Sequence, residues 1–522
     1  MGKEFNITGR CYASEHYIVN THAKLDKILT LVSKKQYFTI NRPRQYGKTT
    51  MLFNIAQRLR SEGGYFVINT SFEGMGDSFF ENEKNFANVF LKLLQEQTTL
   101  YGEESLLLLF ETSNKVVETF KDLSAFITEF VKKIAQKVVL LIDEVDQSGS
   151  HQIFISFLAM LRNKYLAREE MPTFHSVILA GVHDVKNLKW KIRPDSSSVS
   201  YNSPWNIATE FKVDMNFYPE EIKPMLESYA NDKALSLDSQ MIAEDIFYYT
   251  SGYPFLVSKI CKIFDEDLLP EKHEKTWTTS DTKQAVKLLV REKNTNFETL
   301  IKNLENNEEL YDLIYQIGID GVTYSFNRNF PLIDMCALYG ILREEKGRAV
   351  IHNRIYNEVI MNYMSDKMHF LQSRRNTDFN NTYRNDDNSL NMENVLLGFQ
   401  AFMRKEYAQK DHDFVEKNGR LIFLAFLKPI INGSGYDFKE PQISEERRLD
   451  LVITYYEYKY IAELKIWRGD KAHEKGLLQL ADYLTTQGVS EGYLLVFNKN
   501  IKKTWNSEWV DFQGKKIFVV WL

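Results

Sequence analysis

The sequence predicts an α/β protein of several domains, with a helix-flanked parallel sheet in its first part and a second α/β unit at its end. Three observations predict this. Within residues 1–215, short apolar runs at 37–40, 65–69, 138–142 and 177–180 alternate with longer amphipathic stretches. Nearly continuous apolar runs of that length are strands buried on both faces, as in a parallel sheet covered by helices. Hydrophobic residues make up 44% and aromatics 13% of the 522 residues, which supplies several packed cores and excludes wholesale disorder. At roughly 100–200 residues per domain, the length calls for about three domains.

After the sheet-forming core (1–215), the pattern turns helical and charged (216–307). Residues 308–365 read as helix, polar turn, helix and then two alternating runs around Lys346-Gly347, a hairpin signal. Two helices followed by a hairpin predict a winged-helix-like module. Residues 366–391 hold six asparagines between Asn376 and Asn391 and only isolated apolar residues, which predicts a linker. The last unit, 392–522, reads as helices, strand-like runs at 449–454 and 460–464, a helix at 475–485 and strands at 492–497 and 516–521. No internal repeat is visible.

Composition narrows the setting. Cys11, Cys261 and Cys336 are odd in number and widely spaced, so neither a disulfide framework nor a cysteine zinc site is expected. The first residues lack a signal-peptide apolar core, and no apolar run approaches the 18 or so residues of a membrane span. A cytoplasmic protein without a membrane partner is the expectation. The net charge of −5 argues against coating nucleic acid by bulk positive charge, although residues 395–522 alone carry +2.

The first constellation is Asn41-Arg-Pro-Arg-Gln-Tyr-Gly-Lys-Thr-Thr50, between an apolar strand and a helical stretch. Backbone N–H groups of such a loop and of the helix N-terminus cradle phosphates, and Gly47 lets the main chain approach them. Lys48 would reach the β- and γ-phosphates of a nucleoside triphosphate, and the Thr49 hydroxyl would ligate Mg²⁺. Arg42 stands where the common loop has its first glycine, and Pro43 stiffens the turn.

Gly-Lys-Thr alone is a weak signal. The second element is Val138-Val-Leu-Leu-Ile-Asp-Glu144, a buried strand ending in two carboxylates. Asp143 would hold Mg²⁺ through its water shell, and Glu144 would polarise the attacking water. His183, past the end of another strand, is a candidate for sensing the γ-phosphate, with a satisfied loop residue the competing reading. Arg193 reads more simply as a surface residue than as an arginine finger. Gly252-Tyr253-Pro254 opens a helical stretch and is placed to pack on the base. The expected nucleotide-binding residues are thus Arg42, Gly47, Lys48, Thr49, Thr50, Asp143, His183 and Pro254.

On these motifs residues 1–300 resemble the AAA-like P-loop ATPases found in bacteria. The shared features are Arg42-Pro-Arg-x-x-Gly-Lys-Thr49, Leu-Ile-Asp-Glu144, Ser203-Pro-Trp-Asn-Ile-Ala208 and Ser251-Gly-Tyr-Pro254. The resemblance implies ATP as the nucleotide, 216–307 as a helical lid, a following winged helix, and a capacity for self-association.

The second constellation lies in the last unit. Arg448-Leu-Asp450 opens one strand, and Tyr460-Ile-Ala-Glu463-Leu-Lys465 forms the next. Residues two apart in a strand face the same side, so Glu463 and Lys465 point together, and a hairpin would bring Asp450 beside them. Two carboxylates that hold Mg²⁺ and an ammonium that stabilises charge would suit hydrolysis of a phosphodiester. A surface ion pair is the competing reading. Gln479 and Tyr483 share a face of the next helix, and Glu416 lies on the helical segment upstream.

Together these features resemble the PD-(D/E)XK nuclease superfamily over about 392–522. The resemblance implies Asp450 and Glu463 as metal-binding acids, with Glu416 as a further acid of the first core helix. It makes Lys465 the catalytic lysine, and Gln479 and Tyr483 the signature pair of the RecB-like branch. Its implied partner is nucleic acid, with DNA the expected class. The alternative is a nucleotide-dependent switch whose nuclease-like fold is silent and recruits a nucleic-acid or protein partner.

Overall fold

The computed structural model describes residues 2–100, 106, 109–110, 117–145, 152–182, 205–318, 322–372, 383, 385, 387, 389–406, 419, 422–424, 426–427, 430–431, 435–438, 451–455, 458–467, 469–498 and 505–522. The chain divides into two compact units, one of residues 1–300, 328–343 and 352–355, the other of 301–327, 344–351 and 356–522.

The first unit begins with helix α1 (His22–Ser33) and strand β1 (Phe38–Asn41), then α2 (Lys48–Ser61), β2 (Tyr65–Ser71), α3 (Glu83–Thr99), α4 (Phe120–Lys133), β3 (Lys137–Asp143), α5 (Gln152–Leu166) and β4 (Ser176–Gly181). The strands form one parallel sheet in the order β1-β4-β3-β2. A parallel bridge from Phe38 to Thr209 continues it beyond β1. Each strand lies within two residues of an apolar run, and β4 is buried at every position, as a strand covered on both faces must be. The core is rich in phenylalanine: Phe66, Phe72, Phe86, Phe90, Phe130 and Phe157 are almost wholly excluded from solvent. Buried Trp205 donates its indole N–H to Thr39 Oγ1 at 3.0 Å, so the ring packs without an unsatisfied donor.

Helices α6 (Pro219–Lys233), α7 (Ser239–Thr250), α8 (Pro254–Ile263) and α9 (Thr279–Arg291) follow the sheet. Proline opens both α6 and α8, where its missing N–H costs nothing. Between α7 and α8 the chain turns through Ser251 and Gly252, both at positive φ. A Cβ on Gly252 would sit 2.3 Å from the Phe217 carbonyl oxygen, so only glycine fits this turn.

Helix α10 (Thr295–Glu305) leads to α11 (Glu308–Gly318), β5 (Tyr324–Ser325), α12 (Pro331–Leu338), β6 (Leu342–Glu345), β7 (Arg348–Ile351) and α13 (Arg354–Gln372). The three strands lie in the order β5-β7-β6. Lys346 and Gly347, both at positive φ, form the turn between β6 and β7. The unit boundary runs through this segment instead of enclosing it. Helix α13 also continues seven residues into the stretch read as a linker, whose other end is folded. Leu390 and Ser389 are buried, and the Leu390 N–H donates to the Tyr460 hydroxyl at 2.8 Å.

The remainder of the second unit holds α14 (Met392–Glu406), β8 (Gly435–Phe438), β9 (Leu451–Tyr455), β10 (Tyr458–Ile466), α15 (Asp470–Thr486), β11 (Glu491–Phe497), β12 (Ser507–Phe512) and β13 (Lys515–Trp521). The six-stranded sheet runs β8-β9-β10-β11-β13-β12. Pairing is antiparallel from β8 to β10, parallel from β10 through β11 to β13, and antiparallel at the β12 edge. Helix α15 makes the crossover from β10 to β11 and buries Leu477, Leu480, Ala481 and Leu484 against the sheet. Among the described residues no helix is long and apolar enough to cross a membrane.

Candidate functional site

The phosphate-loop geometry is built by the end of β1 and the start of α2. Gly47, at φ 74°, ends the loop in the left-handed region, and α2 starts at Lys48 without a side-chain cap or an acidic residue in its first turn. A helix N-terminus of this kind keeps its N–H groups and its positive dipole end for an anion. Lys48 is buried, and its ammonium donates to the carbonyls of Arg42 at 3.0 Å and Pro43 at 2.8 Å.

The strand-end carboxylate comes to this loop. The Thr49 hydroxyl donates to Asp143 Oδ2 at 2.6 Å, although β4 lies between β1 and β3 in the sheet. Both groups sit at the carboxyl ends of parallel strands, where open α/β sheets place their ligand sites. Asp143 is buried, and its other oxygen accepts the Glu144 N–H at 2.9 Å. Its carbonyl accepts the Phe72 N–H at 3.0 Å, fixing the strand end. Glu144 has φ 54°, a left-handed conformation uncommon for a residue with a side chain. Two hard oxygen donors in contact suit a cation such as Mg²⁺.

Arg42 takes a different place from that expected. Its guanidinium donates to the Asn41 carbonyl at 2.7 Å and the Val213 carbonyl at 2.6 Å, and lies 5.2 Å from the Phe211 ring centroid. Burial lowers its pKa from the ordinary arginine value. The backbone carbonyl of Arg42, not its side chain, reaches the site, where it accepts from Lys48. Thr50 faces the other way too: its hydroxyl accepts the Cys11 N–H at 3.2 Å and ties the N-terminal segment to α2. Pro254 is buried at the first position of α8. His183 and Arg193 lie outside the described residues.

Several residues around the loop were not singled out from the sequence. The Tyr253 hydroxyl donates to the Arg44 carbonyl at 2.8 Å, and its ring meets that of Tyr46 edge to face, with centroids 4.6 Å apart. Gln45, at φ 56°, receives a hydrogen bond from Asn296 at 2.9 Å and donates to the Thr295 hydroxyl at 3.3 Å. The Tyr46 hydroxyl contacts Asn216 and His352. At Gly340, φ 70°, a Cβ would come within 2.6 Å of the Pro43 ring. The usable signal was the loop itself: five consecutive side chains where common phosphate loops are rich in glycine.

In the second unit, Glu463 is fully buried on β10 and pairs with the Lys465 ammonium at 2.6 Å. Lys465 keeps about a third of its side chain exposed. Helix α15 passes beside Lys465 at Gly476, where an added Cβ would lie 3.4 Å from Lys465 Cγ. Gln479 is half-buried one turn further along, and Tyr483 is buried, its hydroxyl without a hydrogen-bond partner among the described residues. Asp450 and Glu416 lie outside the described residues. Among the described residues no three His, Cys, Asp or Glu side chains gather as a metal site.

Among solved structures, the Walker-type ATPase PABY2304 of Pyrococcus abyssi is 13% identical, with a TM-score of 0.45 over 68% of this chain and 99% of that one. The Holliday junction branch migration motor RuvB of Thermotoga maritima is 16% identical, with a TM-score of 0.33 over 64% and 92%. The ORC1 protein of Aeropyrum pernix, solved in complex with DNA, is 11% identical, with a TM-score of 0.31 over 66% and 93%. No curated protein matches the chain. Residues 9–316 match the profile of the AAA-like domain, more than half of the sequence, and the chain belongs to that family of P-loop ATPase-like proteins.

Proposed function

We propose that the chain binds and hydrolyses ATP with Mg²⁺ at the Lys48–Asp143 site, and that this activity controls a metal-dependent phosphodiesterase in residues 392–522 that acts on DNA. The observation that carries the nucleotide half is the Thr49–Asp143 contact of 2.6 Å. A chance Gly-Lys-Thr has no reason to meet a buried strand-end carboxylate 94 residues away. In this reading Lys48 exchanges its loop carbonyls for β- and γ-phosphate oxygens. Thr49 and Asp143 would hold Mg²⁺, whose chemistry is to neutralise phosphate charge. Glu144 accepts a proton from the attacking water.

The nuclease half is supported by three features. The order of the last unit is helical segment, β8, β9, β10, α15, β11, with three antiparallel strands and then a parallel crossover. Glu463 and Lys465 share one face of the central strand. Asp450, next to β9 in sequence, is the second acid of the reading. The described residues supply only Glu463 as an acidic metal donor, so the metal would be held by Glu463 and Asp450, and no catalytic step is assigned to it. Lys465 orients and neutralises the phosphate beside it.

One observation favours the alternative of a nucleotide-controlled switch with a silent nuclease-like fold: Glu463 is fully buried, with Lys465 over it. Cleavage of a panel of duplex, single-stranded and branched DNA with Mg²⁺ or Mn²⁺, with and without ATP, separates the two. The nuclease reading expects cutting that Asp450→Ala abolishes while ATP hydrolysis continues. Intact ATP binding with no cutting of any substrate establishes the switch.

A further inference from the structure

The side chains of Tyr46 and His352 form a hydrogen-bond chain whose direction the structure fixes. The Tyr46 hydroxyl donates to Asn216 Oδ1, so its only hydrogen is committed there. The contact of the same oxygen with His352 Nε2, at 3.0 Å, must therefore take its hydrogen from the imidazole. His352 is then the Nε2–H tautomer, and its Nδ1 is an acceptor. The donor to Nδ1 is present: the Asn353 amide nitrogen lies 3.4 Å away. The far end is anchored as well, because the Asn216 carbonyl accepts from the buried Lys24 ammonium at 2.7 Å, and Lys24 also pairs with Glu221 on α6.

Tyr46 and His352 are both buried. Burial also keeps the imidazole neutral, with its pKa lowered to about 3, as an Nε2–H tautomer with an accepting Nδ1 requires. Each hydrogen bond thus needs the one before it. Tyr46 immediately precedes Gly47 and Lys48, whereas His352 follows β7, and its N–H donates to the Ile341 carbonyl at 2.8 Å. The Arg343 guanidinium donates to the His352 carbonyl at 2.8 Å. A shift of the phosphate loop cannot leave Tyr46 behind, and Tyr46 cannot move without breaking the His352 bond.

Resting on the nucleotide reading of Lys48, we propose that Tyr46 is a positioning residue that transmits occupancy of the phosphate loop to the Ile341–Arg343 and His352–Asn353 segments through His352. The part of the linkage that a sequence pattern would count as the nucleotide motif stops at the loop. The transmitting group is a hydroxyl that touches neither phosphate nor metal.

The test is amide hydrogen exchange of the full chain with and without saturating Mg-ATP, saturation being established by titration for each protein. Tyr46→Phe, which removes one oxygen, His352→Leu, which leaves no group to donate to Tyr46, and the double variant are compared with the parent. In the parent, ATP is expected to change exchange at the Ile341 and His352 amides by about fivefold, the factor one neutral hydrogen bond of about 1 kcal/mol represents. Either single variant should lose this ATP-dependent difference, and the double variant should lose no more, since both remove the same contact.

A merely structural role would raise exchange equally with and without ATP, leave the difference intact and overturn the proposal. So would a parent that binds ATP without any change at these amides. A parent that binds no ATP would remove the nucleotide reading and this linkage together, which distinguishes the two failures. Should Tyr46→Phe not fold, His352→Leu alone decides the matter.

Discussion

The phosphate loop in the first unit and the Glu463–Lys465 pair in the second are both charged, and both are partly buried at the end or face of a strand. They differ in how they are held. Every residue from Arg42 to Tyr46 has a contact from a separate stretch of chain: Val213, Gly340, Tyr253, Thr295 with Asn296, and Asn216 with His352. Glu463 instead has its counter-charge two residues away on its own strand, with α15 passing beside Lys465. A site braced by distant segments reports their movement. The proposed function makes the first site the control point and the second the recipient of control.

The largest effect that sharpens this comparison is expected at the loop. Lys48→Ala should weaken ATP binding by about a hundredfold or more, because it removes the charge-assisted bonds to phosphate, each worth about 1.5–3 kcal/mol. Titration calorimetry reads this directly. Asp143→Asn should leave binding within about tenfold and lower hydrolysis by about a hundredfold, as loss of a group that orients the transition-state charge does. Comparable losses of binding in both variants would remove the distinction between them.

A smaller, structural effect is expected at Gly252. Its alanine variant places a methyl group 2.3 Å from the Phe217 carbonyl oxygen at φ 75°, so the turn into Tyr253 and Pro254 must shift. The cost should be about 2–3 kcal/mol of stability in urea unfolding, with ATP affinity falling in parallel. In the second unit, Lys465→Met removes the ammonium that pairs with the buried Glu463 carboxylate. It should cost about 2–4 kcal/mol and leave ATP hydrolysis at the parent rate. A Lys465 variant that also lost hydrolysis would break the contrast between a site braced from a distance and one paired along its own strand.

The remaining effect is a pH dependence. Native His352 takes up a proton only near pH 3, whereas the unfolded chain does so near its ordinary value of about 6.5. The stability linked to this neutral imidazole is therefore fully present above about pH 6.5. It falls by up to about 1.4 kcal/mol per pH unit between there and about pH 3. Urea midpoints of the parent and His352→Gln, measured from pH 7.5 to 4.5, should converge as the pH drops.

Much of the first unit was legible because its physics is local. Continuous apolar runs mark strands buried on both faces, and a glycine before Lys-Thr marks a turn at positive φ. What could not be read was the filling of the loop. The reading placed Arg42 and Thr50 toward nucleotide, whereas their side chains serve the Val213 carbonyl and the Cys11 N–H, partners 171 and 39 residues away. Strand β12 escaped because it is an edge strand with no buried position, and Trp509 is among its exposed residues. The asparagine-rich stretch looked like a tether because asparagine favours turns. Its two described asparagines make structure: Asn391 caps α14 through the Asn394 N–H at 2.9 Å, and Asn385 donates to Ser389 at 2.8 Å. Glu463 and Lys465 were found by strand alternation, but their depth was not, because burial of a carboxylate depends on the elements that pack around it.

The most direct measurement is a Mg-ATP titration of the parent beside Lys48→Ala, with hydrolysis followed in the same samples. Saturable binding and turnover are expected of the parent, and binding weakened by about a hundredfold or more with no measurable turnover of the variant. Equal affinity in the two proteins, or a parent that binds no nucleotide, would contradict this expectation.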